Sequence, residues 1–201
     1  MDFDACVELL KARPSHAHHC ESDIAEQPVA NIEQDKEHAA AAFAQLQPAA
    51  LATAFFRLQE ARAGVYAAFR TGFEEHQQTP RFAAFSGGIT ARFAALSNQI
   101  NGVERALIEK KHERLAQYVR KVQLEEKEKL LVTSALLVEK MRLKDALSRP
   151  EPDATTTALL EQSVDVLGAK HTAVVQRIND LLDELRADAM DLDDDATAAE
   201  A

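Results

Sequence analysis

The sequence predicts an all-α protein of three or four long amphipathic helices, forming an elongated helical bundle or a coiled-coil hairpin with disordered acidic termini. Three observations lead to this prediction. The 201 residues include only six glycines and six prolines, and residues that favour helix are abundant. Apolar residues recur at helical spacing through most of the chain. No run of alternating β-branched residues predicts a strand.

Charge divides the chain into segments. Residues 49–149 carry 17 basic against 11 acidic side chains, a net charge of +6, whereas residues 1–48 carry −6 and residues 150–201 carry −10. We interpret the first 48 residues as a weakly ordered acidic arm and the basic segment as a helical core. Residues 150–187 are expected to form a coiled-coil-like helix, and 188–201 a disordered acidic tail.

An aromatic stripe predicts the first helix, because seven of the nine phenylalanines lie between Phe55 and Phe93. This helix should begin near Leu51 and end near Gln77, with Arg62 as the one polar member of its apolar face. The apolar members of that face are Leu51, Phe55, Leu58, Val65, Phe69 and Phe73.

A second helix is predicted after Thr79 and Pro80, since threonine can cap free amides and proline is tolerated in the first turn. Its apolar face repeats at steps of three and four residues. The members are Phe82, Phe85, Ile89, Phe93, Leu96, Ile100, Val103 and Leu107. The charged residues 109–113 that follow allow either a continuous helix or a turn, and we favour a turn.

The third helix has an apolar face that a charged stretch, 125–129, interrupts, and Pro150 and Pro152 close it. The apolar members are Leu115, Val119, Val122, Leu130, Leu137 and Met141. The fourth helix, from about Thr155 to Arg186, has a seam that alternates steps of four and three. The seam consists of Leu160, Val164, Leu167, His171, Val174, Ile178, Leu181 and Leu185. A polar seam residue such as His171 more often fixes register than senses pH.

The densest basic cluster is the candidate nucleic-acid site, because lysine and arginine contact phosphates. It consists of Lys110, Lys111, Arg114, Arg120 and Lys121. Glutamates lie among these cations, and Lys121 with Glu125, or Glu125 with Lys129, can pair four residues apart. Such pairing is typical of an ordinary solvated face, which we favour over direct nucleic-acid binding, partly because the acidic tails compete for the cluster.

Metal-ligating side chains occur together only in the N-terminal arm, and the two cysteines are expected to stay free thiols in a reducing compartment. The candidate ligands are Cys6, His16, His18, His19 and Cys20. Their crowding on one segment, without a second anchored cluster, favours incidental histidines over a zinc or copper site. We therefore predict no metal and no cofactor.

The sequence contains no phosphate-binding glycine loop, nucleophile elbow or zinc-protease histidine pair, so we predict no catalytic residue and no enzyme. No window approaches the roughly twenty apolar residues that cross a bilayer. The acidic start, with Asp2, Asp4 and Glu8, is unlike a secretory signal. We expect a protein that is neither secreted nor transmembrane.

Several residues together resemble the required-for-excision family of DNA-repair proteins, B type. The resemblance covers roughly residues 50–147. It is carried by Leu58, Gln59, Arg62, Tyr66, Phe69, Pro80, Arg81, Phe82, Ile100, Val103, Glu104, Leu107, residues 123–130 and Ala135, Leu136 and Leu137. It implies a role in excision repair and a nuclear location, with the cytoplasm as an alternative. It brings no catalytic residue to this chain.

The resulting functional hypothesis is a non-enzymatic accessory factor in DNA excision repair. Such a factor acts through helix-mediated protein contacts and weak, sequence-independent nucleic-acid binding. The alternative is a cytoskeletal or scaffold coiled coil, which forms homo-oligomers through its helical seams and has no role in repair. Protein partners are expected in both cases, and a membrane in neither.

If the aromatic stripes form the core, Phe93→Ala should lower the free energy of unfolding by about 3 to 5 kcal/mol, because it deletes a buried ring and leaves a cavity. Thermal or denaturant unfolding measures this cost. A near-neutral change would contradict the predicted pairing of the first two helices.

Overall fold

The computed structural model describes residues 42–199, with helical backbone alone for 192–199. These residues form four long helices: α1 (Pro48–His76), α2 (Phe82–Glu109), α3 (Glu113–Leu147) and α4 (Ala154–Ala199). No β-strand occurs within the described range. The predicted all-α class is confirmed, and the break between the second and third helices falls at the charged residues where we expected a turn.

The described residues divide into two compact units. We call residues 42–124 with 178–199 the aromatic unit, and residues 125–177 the ion-pair unit. Each unit combines parts of the predicted 49–149 and 150–187 segments.

The core of the aromatic unit confirms the predicted stripes. From α1 and α2 it buries almost every predicted apolar position, and Arg62 is buried with them at 3% exposure. Leu58, Phe82 and Phe85 are half-buried instead. The remaining buried core residues include Leu115, Val119 and Val122 of α3, and Ile178 and Leu185 of α4.

Aromatic rings join α1 to α2. The Tyr66 ring meets Phe93 edge-on with ring centroids 4.8 Å apart, and Phe73 meets Phe82 in the same way at 5.6 Å. Such edge-to-face pairs add about 0.5 to 1.5 kcal/mol beyond the area they bury. A side-chain hydrogen bond also joins the two helices: Nη2 of Arg62 donates to Oγ of Ser97 over 3.0 Å.

The start of α2 differs from the prediction. Thr79 does not cap the helix with its side chain; its hydroxyl donates to the carbonyl of His76 at the end of α1, over 3.0 Å. The helix begins at Phe82, and the first backbone bond there runs from the amide of Phe82 to the carbonyl of Thr79. Thr79 therefore closes the preceding helix and supports the turn through its backbone.

The ion-pair unit contains few buried apolar side chains, namely Val132, Leu137, Ala146 and Val174. The charged stretch 125–129 takes part in most of the ion pairs described for this unit. Glu125 and Glu128 of α3 both accept hydrogen bonds from Arg177 of α4, each over 2.9 Å. Nζ of Lys170 lies 3.0 Å from Glu128.

These contacts correct the prediction of ion pairs four residues apart. Glu125 pairs with a residue 52 positions later, and not with Lys121 or Lys129. Lys129 instead bridges Glu126 over 2.9 Å, and the Glu126 side chain is only 6% exposed. The pKa of Glu128 lies below its ordinary value because Lys170 donates a hydrogen bond to it, and because Lys170 and Arg177 place positive charge beside it.

Helix α4 extends beyond its predicted end at Arg186 and continues to Ala199. It therefore includes residues 188–199, which the sequence predicts as a disordered tail. At its start, Asp153 accepts hydrogen bonds from the amides of Thr155 and Thr156, as an N-cap does. A hydrogen bond from the Thr156 hydroxyl, together with these two backbone bonds, holds the pKa of Asp153 below its usual value.

Gly72 in α1 allows the closest approach of α2. A Cβ atom built on Gly72 would overlap Cε2 and Cζ of Phe85, whose ring stacks on Phe69 and contacts His76. A Cβ on Gly64 of the same helix would meet nothing within 4 Å.

We therefore expect Gly72→Ala to lower the free energy of unfolding by about 1 to 3 kcal/mol, because the added methyl displaces the Phe85 ring from the aromatic cluster. The matched control Gly64→Ala should raise it by about 0.5 to 1 kcal/mol, as alanine favours a helix over glycine. Denaturant unfolding followed by circular dichroism measures both. Equal stabilisation by the two substitutions would contradict the close contact.

Candidate nucleic-acid interface

The five predicted basic residues all lie in the aromatic unit, at the turn between α2 and α3 and along the start of α3. Lys110 and Lys111 belong to the turn, whereas the other three belong to the helix. The structure does not bring all five together on one face. Arg114 and Lys121 share a face of α3 with Tyr118, because residues three and four apart are neighbours on a helix.

Tyr118 links the two cations of this face. Nζ of Lys121 lies 5.3 Å from the centroid of the Tyr118 ring, within the range of a cation–π contact. Hydrogen bonding to the Tyr118 side chain is the largest influence that raises the pKa of Arg114, followed by the negative charge of Asp188. Arg114, Tyr118 and Lys121 thus form one local group, which we call the cationic face.

Arg120 lies on another side of α3 and contacts α2. Its Nη1 atom is 3.8 Å from Oε2 of Glu104, and the Arg120 side chain is 62% exposed. Gln123 of α3 also donates a hydrogen bond to Asn101 of α2, over 3.1 Å. Arg120 therefore helps to hold α3 against α2 and is separate from the cationic face.

An acidic residue that the sequence prediction missed completes the site. Nε of Arg114 lies 2.6 Å from Oδ2 of Asp188 in α4, and the side-chain exposures are 75% for the arginine and 15% for the aspartate. No local spacing connects residues 114 and 188, so only the packing of α4 reveals this pair. Tyr118, in contrast, stands four residues after Arg114 and could have been found from helical spacing.

The turn before α3 requires an unusual backbone conformation. Lys111 has a φ of 65°, in the left-handed region that glycine prefers. Its amide donates to the carbonyl of Ile108 and the amide of His112 donates to that of Leu107, each over 2.9 Å. This pattern is a Schellman motif, which satisfies the last carbonyls of α2 and directs the chain into α3.

The arrangement offers exposed cations that can bind phosphate oxygens.

Within residues 42–199, no three histidine, cysteine, aspartate or glutamate side chains come together as a metal site would need. The candidate ligands Cys6, His16, His18, His19 and Cys20 lie outside the described residues. None of the described helices combines the length and hydrophobicity that a bilayer crossing requires.

Comparison with known proteins finds a family model that is similar to the central segment of the chain. Residues 50–140 match the family model described as DNA repair REX1-B, which confirms the resemblance predicted from the sequence. No curated protein and no solved structure matches the chain. The matched segment includes most of α1, all of α2 and α3 as far as Lys140, and therefore contains the whole cationic face.

The left-handed position at Lys111 yields a prediction. Lys111→Gly should raise the free energy of unfolding by about 0.5 to 1 kcal/mol, because glycine adopts positive φ without steric cost. Lys110 has a φ of −86°, so Lys110→Gly removes the same charge and should bring no gain. Chemical denaturation of both variants tests this, and equal effects would contradict the Schellman motif.

Proposed function

We propose that this protein is a non-enzymatic accessory factor in DNA excision repair, which binds partner proteins through its helices and nucleic acid weakly through the cationic face. The observation that carries the proposal is the position of this face inside the segment that matches the DNA repair REX1-B family. A nuclear location is proposed with this function.

Weak, sequence-independent affinity is the form of nucleic-acid binding that the contacts support. Arg114 and Lys121 are exposed and can reach phosphates, yet each already has a neighbour, Asp188 or the Tyr118 ring. Phosphate contacts of this kind position a protein on nucleic acid without reading its sequence. Dissociation constants on the order of 10⁻⁴ to 10⁻⁶ M are typical of such binding at physiological salt.

Protein contacts are supported by exposed apolar side chains of the same unit. Leu124 of α3 is 61% exposed, and Ile108 near the end of α2 is 51% exposed. Leu124 stands three residues after Lys121, so a partner that contacts this part of α3 would meet apolar and charged groups together.

The rival function is a cytoskeletal or scaffold coiled coil that forms homo-oligomers. Such an oligomer is expected to form through the apolar seam of α4. Three seam residues, Val174, Ile178 and Leu185, are buried within the chain. The other five seam residues are half-buried, so an oligomer could use only the part of the seam that the chain leaves exposed, which favours the repair factor.

The proposal predicts that DNA affinity falls as salt concentration rises. Replacing Arg114 and Lys121 with glutamate should reduce the slope of log affinity against log salt by about 1 to 2, since about 0.9 counterions are released per neutralised phosphate of a duplex. Fluorescence anisotropy with a labelled duplex of arbitrary sequence measures the slope.

Arg142→Glu provides the control, because Arg142 is 61% exposed and paired with Glu139 on the ion-pair unit. We expect this variant to keep most of the wild-type affinity and slope. Salt-insensitive dimers that do not bind DNA, seen by sedimentation, would contradict the proposal and support the scaffold.

A further inference from the structure

We infer that the acidic end of α4 competes with nucleic acid for Arg114 and so limits the affinity of the cationic face. The inference rests on the proposed nucleic-acid binding and adds a regulation of that site. The competitor is the carboxylate of Asp188, with Asp191 as a second negative charge that acts on the same guanidinium.

Two contacts fix the acidic end of α4 on the aromatic unit. Leu185 is buried in the core with 1% exposure, and the guanidinium of the next residue, Arg186, lies 5.0 Å from the centroid of the Phe56 ring in α1. Asp188 follows half a turn later. Its position opposite Arg114 is thus set by apolar and cation–π packing, and does not depend on the ion pair alone.

The ion pair leaves Arg114 partly available. Asp188 lies beside Nε at ion-pair distance, while three quarters of the Arg114 side chain remains exposed to solvent. A phosphate oxygen and a carboxylate oxygen are equivalent acceptors for a guanidinium group. A phosphate that takes the Nε–H together with a neighbouring Nη–H in a bidentate contact must therefore displace the Asp188 carboxylate, whereas one held by the Nη atoms alone stays close to that negative charge.

The surrounding charge adds to this competition. Residues 178–191 contain five acidic residues and one arginine, so this segment repels a phosphate backbone that approaches the cationic face. The measured affinity then equals the intrinsic affinity multiplied by the fraction of molecules in which Arg114 is released. Removing the Asp188 charge should increase that fraction.

The test compares Asp188→Asn with Asp183→Asn in the full chain. Asp183 is also on α4 and pairs with Arg186 three residues later, so both variants remove one negative charge from the same helix. We expect Asp188→Asn to increase affinity for a labelled DNA duplex about five- to tenfold at low salt and to steepen the salt slope by about 1. Asp183→Asn should change affinity less than about twofold.

A second arm uses the background Arg114→Gln. If the carboxylate acts through Arg114, Asp188→Asn should bring no gain in that background, and the two substitutions should be non-additive. Circular dichroism checks that each variant keeps its helical content. If Asp188→Asn loses helix, the exposed Asp191→Asn replaces it, with an expected gain of about two- to threefold at low salt.

The outcomes separate the two proposals. Equal gains from Asp188→Asn and Asp183→Asn, or a gain that persists without Arg114, would overturn the competition while nucleic-acid binding stands. Failure of the wild type and of every variant to bind DNA at low salt would overturn both.

Discussion

Close packing of α1 against α2 at Gly72 is the constraint on which the aromatic unit depends. The missing side chain there lets the Phe85 ring lie against the backbone of α1, where it stacks on Phe69. Two edge-to-face pairs on either side then fix the register of the two helices. Because protein interiors are packed as densely as organic crystals, this spacing leaves little freedom in how α2 lies on α1.

Opposite charges on α3 and α4 supply the other specific contacts of the fold. In the ion-pair unit, α3 provides the acidic partners and α4 the basic ones, as in the contacts of Arg177 with Glu125 and Glu128. In the aromatic unit the polarity is reversed, because Arg114 of α3 meets Asp188 of α4. If α3 and α4 were shifted along each other, these oppositely charged pairs would separate and like charges could meet and repel. The pairs therefore favour the observed alignment of the two helices.

This pairing shapes what the surface offers a partner. A chain with a basic centre and acidic ends satisfies part of its own charge, and Arg114, which remains exposed, keeps Asp188 within reach. For the proposed nucleic-acid binding, we therefore expect modest affinity that depends strongly on salt. Affinity of this kind suits a protein that joins an assembly through several weak contacts rather than holding DNA alone.

The sequence by itself determined the helices, their apolar faces and the resemblance of the central segment to a DNA-repair family. Helical spacing and turn signals could be read there because they depend on residues that are neighbours in the chain. It identified Phe55, Phe93 and the buried Arg62 as members of core faces, and it placed a turn at residues 109–113. Only the tertiary structure decided the partners of the charged residues. Glu125 with Arg177, and Arg114 with Asp188, are separated by dozens of positions, and no local spacing encodes which carboxylate a cation meets. Their pairing follows from how the helices pack. Burial of apolar side chains sets that packing, and the packing decides which charged groups lie close together.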